Sequence, residues 1–395
     1  MNSTSNLFKM NDTKDSTASP DDSDARNMTM PPMDLMRLFP INYAVPLNGY
    51  LSPILIFITL VTNLFVIIVL LKKHMRSPTN AILAGMAVSD MLTGVFPFPI
   101  FVYFFGLGYY QDYVPYGWCH AYKYLFDYIP IIFHTASIWL TMALAIQRYI
   151  YICHSLQART WCTIPNVIRG TVAIYIIAIL SQASRFFDTY IQPIELKSKL
   201  YPNTTVIGCQ FKLRPWFSEN STIYYNVYFW FRVICIHLIP CTFLVVLNAL
   251  LISTMRTAQL RRMQLLKQNK KSESKKIKDS NCTTLMLVAV VGLFLLVELP
   301  LGIIMIINII DNTWSLRIFK DETYGIMNLI TNFFILLSYP LNFFIYCGMS
   351  RQFRETFKRM FTGAPMPIDR ECSQYTTLPT ENGKTYVTTG VETAL

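Results

Sequence analysis

The chain reads as an all-α membrane protein, a seven-transmembrane helix bundle with a short amphipathic cytoplasmic helix after the seventh span. Three observations predict this. Hydrophobic residues make up 53% of the 395 positions and charged residues only 14%, whereas a soluble domain carries about a quarter charged. Seven mostly apolar segments are long enough to cross a bilayer, and Lys and Arg collect in the loops on one side of them.

A bilayer core about 30 Å thick needs roughly 20 apolar residues as helix, because lipid leaves no partner for free backbone groups. The segments that satisfy this are Tyr50–Leu71, Asn80–Phe104, Tyr124–Ile152, Val167–Phe187, Tyr224–Met255, Thr283–Ile310 and Tyr324–Cys347. Residues 1–49 hold six Asp and four Lys/Arg among many Ser, Thr and Asn, so they are expected to be a disordered, glycosylated extracellular terminus. The helix domain then spans 50–347, the amphipathic helix 348–362, and a disordered cytoplasmic tail 363–395. Cys372 in that tail is a weak candidate for palmitoylation.

Orientation follows from the positive-inside rule. Lys72, Lys73 and Arg76 follow the first segment, nine Lys/Arg against Glu273 and Asp279 separate the fifth from the sixth, and Arg351, Arg354, Lys358 and Arg359 follow the seventh. These faces are expected in the cytosol, which puts the amino end outside and the carboxyl end inside a plasma membrane protein. Glycosylation sequons at Asn2, Asn11, Asn27, Asn203 and Asn220 fall on the outer side, and one at Asn281 falls inside, where it should go unused. Only Cys119 and Cys209 then face oxidising solvent, and they are expected to be disulfide-bonded. The net charge of +11 is accounted for by this loop asymmetry rather than by a nucleic-acid face. Phe353, Phe357, Met360 and Phe361 recur at helical spacing among basic residues, the pattern of a helix lying on anionic membrane lipids.

Ionisable groups inside a membrane are costly and mark function by default. Asn63, Asp90, Arg148 and Asn342 are expected to face the bundle interior, where an Asp and Asn cluster can hold a small cation such as Na+ near Asp90. No other cofactor and no metal site is expected, since no two cysteines lie at Cys-x-x-Cys spacing. No phosphate loop or nucleophile elbow appears either, which argues against an enzyme. A seven-helix transporter or proton conductor using Asp90, Glu298 and His134 is the alternative, although no internal repeat supports it.

Thr62-Asn63-Leu64, Met86-Ala87-Val88-Ser89-Asp90, Arg148-Tyr149, Pro240, Phe294, Pro300 and Leu341-Asn342-Phe343-Phe344-Ile345-Tyr346 stand in the order and on the segments where rhodopsin-like G-protein-coupled receptors carry their signatures. The chain from about Tyr50 to Phe361 resembles that family. The resemblance implies a switch built from Gln147, Arg148, Tyr149, Asn342, Tyr346, Asp90 and Asn63. It also implies a packing triad of Ile138, Pro240 and Phe294, and an outward swing of the sixth helix about Pro300.

There are departures from the family pattern. Gln147 replaces the usual acid before the arginine, Phe343 replaces the seventh-helix proline while Pro340 lies three residues earlier, and Glu298 stands where a tryptophan is usual. Cys119 also lies about a turn further from Arg148 than the family places it. The runs Ile138–His154 and Ser338–Arg354 resemble more closely the invertebrate receptors for sex peptide and myoinhibitory peptide, relatives of myosuppressin and FMRFamide receptors. That resemblance implies a short amidated peptide ligand and a heterotrimeric G protein of the Gi/o type. Glu298 is expected to hydrogen-bond His134 beneath a ligand pocket lined by Asp127, Arg185, Trp230, Arg232, Asn308, Tyr324 and Asn328. An opsin is excluded by the absence of lysine from Tyr324–Cys347, and an amine receptor by Pro130 at the position expected to carry aspartate.

Overall fold

The structure, a computed structural model, describes residues 31–362 except 219–220, 269–270, 315 and 317. Seven helices are long and apolar enough to cross a membrane: Ile41–Leu70, Pro78–Gly106, Tyr116–Cys153, Ile164–Phe187, Ile223–Lys267, Thr284–Asp311 and Asp321–Met349. They are the first to seventh spans below. The third is the central pillar, with 67% of its apolar window buried, whereas the fourth buries 6% and presents its apolar surface outward. That surface is what lipid must cover.

The sequence expectation for the first span began at Tyr50; the helix begins nine residues earlier, at Ile41. Asn42, Pro46 and Asn48 interrupt the apolar run, yet Asn48 and Gly49 are buried where a wide-turn segment Val45–Leu51 crosses a second one, Phe101–Gly106. A Cβ on Gly49 would lie 2.7 Å from the carbonyl oxygen of Phe105, so only glycine permits this approach.

Residues 31–40, expected to be without structure, are likewise ordered: Met33, Leu35 and Leu38 are buried in the main apolar cluster. The physical reason is backbone pairing. Met33 donates to Cys209 O at 3.0 Å and accepts from Val114 N at 3.2 Å, tying this strap to the loops. Of the sequons, Asn203 is exposed at the tip of a hairpin; Asn2, Asn11, Asn27 and Asn220 lie outside the described residues, as do the tail from 363 onward and Cys372.

That hairpin joins β1 (Thr189–Lys197) to β2 (Thr205–Leu213), antiparallel with Pro193 opposite Cys209. Cys209 is disulfide-bonded to Cys119. Between Cys119 and Arg148 lies a third wide-turn segment, Tyr122–Tyr128, which uses more residues per turn than an α-helix and so takes up part of the extra turn. At the opposite, basic end, the helix Arg351–Thr362 follows the seventh span. Its aromatic face is used within the protein: Phe357 packs edge-on against Phe65 at 5.5 Å and Phe343 at 5.4 Å. Phe343, which replaces the family proline, is therefore an anchor for this helix.

Candidate ligand pocket and switch network

Glu298 on the sixth span and His134 on the third meet as expected, with His134 Nε2 3.2 Å from Glu298 Oε1. The contact is a close approach rather than an aligned hydrogen bond, since His134 Nε2 and Glu298 Oε2 have no hydrogen-bond partner. A residue not anticipated completes the site: His237 on the fifth span places Nδ1 3.4 Å from Glu298 Oε2. All three side chains are at least 97% buried. A carboxylate this deep must be neutralised by its neighbours, and two imidazoles flank it. His237 lay open to the reasoning that found His134, since a histidine inside a span is functional by default.

His134 Nδ1 lies 3.1 Å from the Tyr339 hydroxyl. Tyr339 in turn lines a void of about 20 Å³ together with Asp90, Ser137 and Asn342. Ser137 donates to Asp90 at 2.8 Å and Asn342 Nδ2 at 3.3 Å. Asn63 is buried nearby but its amide donates to Thr59 O at 3.1 Å on its own helix, so the expected Asn63–Asp90–Asn342 cluster is replaced by Ser137–Asp90–Asn342.

Nearer the hairpin, the expected pocket residues are divided among separate places. Asp127, Arg185 and Arg232 line a small filled space with Gln182, Tyr128 and Tyr228. Arg185 pairs with Asp188 and lies over the rings of Tyr128, Tyr225 and Tyr228 at 5.3–5.4 Å. These side chains brace the third, fourth and fifth spans. Trp230 packs against the cluster of Val233, Leu301, Met305 and Tyr339. Asn308 and Tyr324 are buried, the latter edge-on to Phe319 at 5.7 Å.

Of the expected residues, only Asn328 reaches the cavity of about 100 Å³ between the first, second, third and seventh spans. The reason is that the outer halves of the fourth and fifth spans are consumed by the Arg185 brace. Asn328 belongs to a helix face with Asn332 and Tyr339, which also line the cavity.

At the basic end, Gln147 is buried with neither side-chain amide atom hydrogen-bonded, so it makes no bond to Arg148. The Arg148 guanidinium lies 5.9 Å from the Tyr151 ring instead. Tyr149 and Phe294 pack against Ala145, Leu244, Leu247 and Val291. Ile138, Pro240 and Tyr346 are buried, and the sixth helix runs through Pro300 without interruption.

Seven membrane-length helices around a buried polar network, closed at one end by a disulfide-linked hairpin, are the architecture of a serpentine membrane protein. Comparison with known proteins supplies the family. The sequence profile described as "Serpentine type 7TM GPCR chemoreceptor Srw" matches residues 50–364. The sex peptide receptor of Drosophila melanogaster is 43% identical over 362 residues, covering 90% of this chain and 81% of that protein. Sex peptide receptor-related protein 2 of Caenorhabditis elegans is 36% identical over 326 residues, 81% of this chain and 72% of that protein. The FMRFamide receptor of Drosophila melanogaster is 29% identical over 308 residues, 76% and 51% respectively. This chain belongs to the G-protein-coupled receptor family, within the group formed by the sex peptide receptors.

Proposed function

We propose that the chain is a plasma membrane receptor for a short amidated neuropeptide of the myoinhibitory or sex peptide type, acting through Gi/o to lower cyclic AMP. The observation that carries this reading is the cavity at the hairpin end, lined by aromatic and amide side chains, opposite a basic end bearing Arg148. The name of the fly relative supports a peptide ligand. The amino end then lies outside the cell and the carboxyl end inside, with the basic loops facing anionic lipid and the G protein. Asn203 is presented for glycosylation on the exposed hairpin turn.

The mechanism is a population shift. Peptide bound at the hairpin end favours a state in which the sixth span swings outward about Pro300, and a G-protein helix enters a cleft beside Arg148. The Glu298–His134–Tyr339 contacts link the pocket floor to Asp90. The void at Asp90 has room for one water or one Na+; Asp90, Ser137 and Asn342 would hold the ion, whose charge would offset the buried carboxylate. Shifting the balance requires differential affinity for the two states, so peptide contacts must strengthen as the spans move. The transporter alternative is not favoured, because the relatives are receptors.

A screen of amidated neuropeptides on cells expressing the chain, read as pertussis-toxin-sensitive suppression of cyclic AMP, tests the proposal. Suppression by at least one peptide, abolished in Arg148→Ala, is expected. Absence of any response from receptor shown to be at the cell surface, or a response through a different G protein, contradicts it.

A further inference from the structure

Asn328 sets a condition on whatever enters the cavity. It is 93% buried by its 7% exposure, it lines the cavity, and neither Oδ1 nor Nδ2 has a hydrogen-bond partner. Its neighbour Thr331 does not share this state, since its hydroxyl is satisfied by Met327 O at 2.8 Å. A buried carboxamide with both halves unpaired carries a desolvation cost that an entering group can remove. The group that meets both halves at once presents one N–H and one C=O side by side. A neutral primary carboxamide does so, with one N–H on the same side as its C=O; a trans peptide unit points the two in opposite directions, and a carboxylate or an ammonium matches only half.

The rest of the cavity is small and mostly apolar, with Asn48, Thr93, Asn332 and Tyr339 as its other polar lining residues. Ile56, Ile335 and Leu336 line it, and its volume of about 100 Å³ is below the roughly 150 Å³ that holds benzene in an engineered protein cavity. It fits a compact aliphatic side chain. Its outer wall comes from the strap: Leu38 and Phe39 line it, and Phe39 is held edge-on by Phe105 at 5.4 Å and Phe126 at 6.0 Å. On the other side of that wall, a depression of about 380 Å³ shares Leu38, Phe39 and Gly325 with the cavity. The strap is anchored beyond them by the Asp34–Lys199 ion pair. The chain's own amino-terminal segment therefore separates solvent from the cavity.

We propose that this cavity is the subsite for one residue of the ligand, whose neutral amide is held at two points by Asn328 and whose aliphatic side chain packs beneath Phe39. The assignment rests on the peptide reading above and gives that reading a specific recognition chemistry. A fragment assay tests it without a peptide or a G protein, so its failure is distinct from failure of the neuropeptide screen.

N-acetyl-leucinamide and N-acetyl-leucine are compared by saturation-transfer NMR on the purified full-length receptor, with melting temperature as a check on folding. The amide is expected to bind about tenfold or more tightly than the acid. Asn328→Leu should reduce amide binding about tenfold, and Gly94→Leu, which fills the cavity, should abolish it. Should the Gly94 variant fail to fold, Asn328→Asp, which lacks the donor, must remove the preference for the amide. Equal binding of amide and acid, amide binding unchanged in Asn328→Leu, or no binding of either fragment to folded wild-type receptor overturns the proposal.

Discussion

At the hairpin end of the bundle a disulfide, a strap and a buried ion pair hold the third, fourth and fifth spans in one arrangement. At the basic end Gln147 and the Arg148 Nε are buried or half-buried without hydrogen-bond partners, and Asn248 Oδ1 shares that state. Unpaired buried atoms occur at both ends, Asn328 and the Arg232 Nε among them at the hairpin end, but the covalent and ion-pair ties named here lie at the hairpin end. Buried polar groups are normally satisfied, so a cluster of unsatisfied ones marks where a partner or a second arrangement completes the structure. On the proposed function, recognition sits on the tied end and movement is left to the basic end, where the G protein would bind.

The comparison breaks most readily at the brace. Asp188→Ala strands Arg185 at 4% exposure without its counter-charge, a loss of about 3–5 kcal/mol. The prediction is near-complete loss of folded receptor at the surface, measured by antibody staining of intact cells. A variant that folds and melts normally would show that the brace is dispensable. Cys209→Ser opens a tie across 90 residues and should cost about 2–4 kcal/mol. Thermal melting of purified receptor checks this, and an unchanged melting temperature would leave the strap and hairpin as sufficient ties.

Smaller effects sharpen the basic end. Gln147→Glu gives Arg148 an adjacent acid, about 1 kcal/mol of restraint. Basal nucleotide exchange should fall about threefold to fivefold while surface expression is unchanged. Asp90→Asn removes the charge of the proposed Na+ site, so agonist potency in the variant should be the same in NaCl and KCl, whereas the proposed site predicts a difference between the two salts for wild type.

The smallest expected effect lies outside the membrane, at Asp112. Burial pushes its carboxyl upward, but this is outweighed by hydrogen bonds from Ser198 and the Lys199 and Tyr113 backbone N–H groups, and the net direction is downward. A carboxyl depressed in the folded state contributes stability above its unfolded value, near 3.9, and that contribution is lost as pH falls through the folded value. Between pH 7 and 5 the melting difference between wild type and Asp112→Asn should therefore stay constant, and it should shrink only below about pH 4.

Much of this was legible in the sequence because lipid imposes a one-dimensional constraint. Length and hydropathy alone place the spans, and loop charge gives their expected direction. The Cys119–Cys209 bond followed from topology, and the Glu298–His134 approach followed from the cost of an acid at mid-membrane. What the chain concealed depends on contacts between distant segments. The strap at Met33 is held by backbone groups of Cys209 and Val114, which leave no side-chain pattern. The early start of the first span was hidden by buried Asn48, whose neighbour Gly49 packs on Phe105. Asp127, Arg185 and Arg232 read as pocket residues because a charge in an outer half-helix looks the same whether it awaits a ligand or is matched, as Arg185 is by Asp188.

The division between a fixed hairpin end and a movable basic end is tested most directly by distance. Spin labels at exposed Leu156, after the third span, and at exposed Cys282, at the basic end of the sixth, would report the proposed opening beside Arg148. With a peptide agonist and its nucleotide-free G protein, Gi on the proposed function, the distribution should move outward by several ångströms, while a pair spanning Tyr109 and Tyr201 at the hairpin end stays within its resting width. An unchanged Leu156–Cys282 distance during accelerated nucleotide exchange, or a larger change at the hairpin end, would contradict the account.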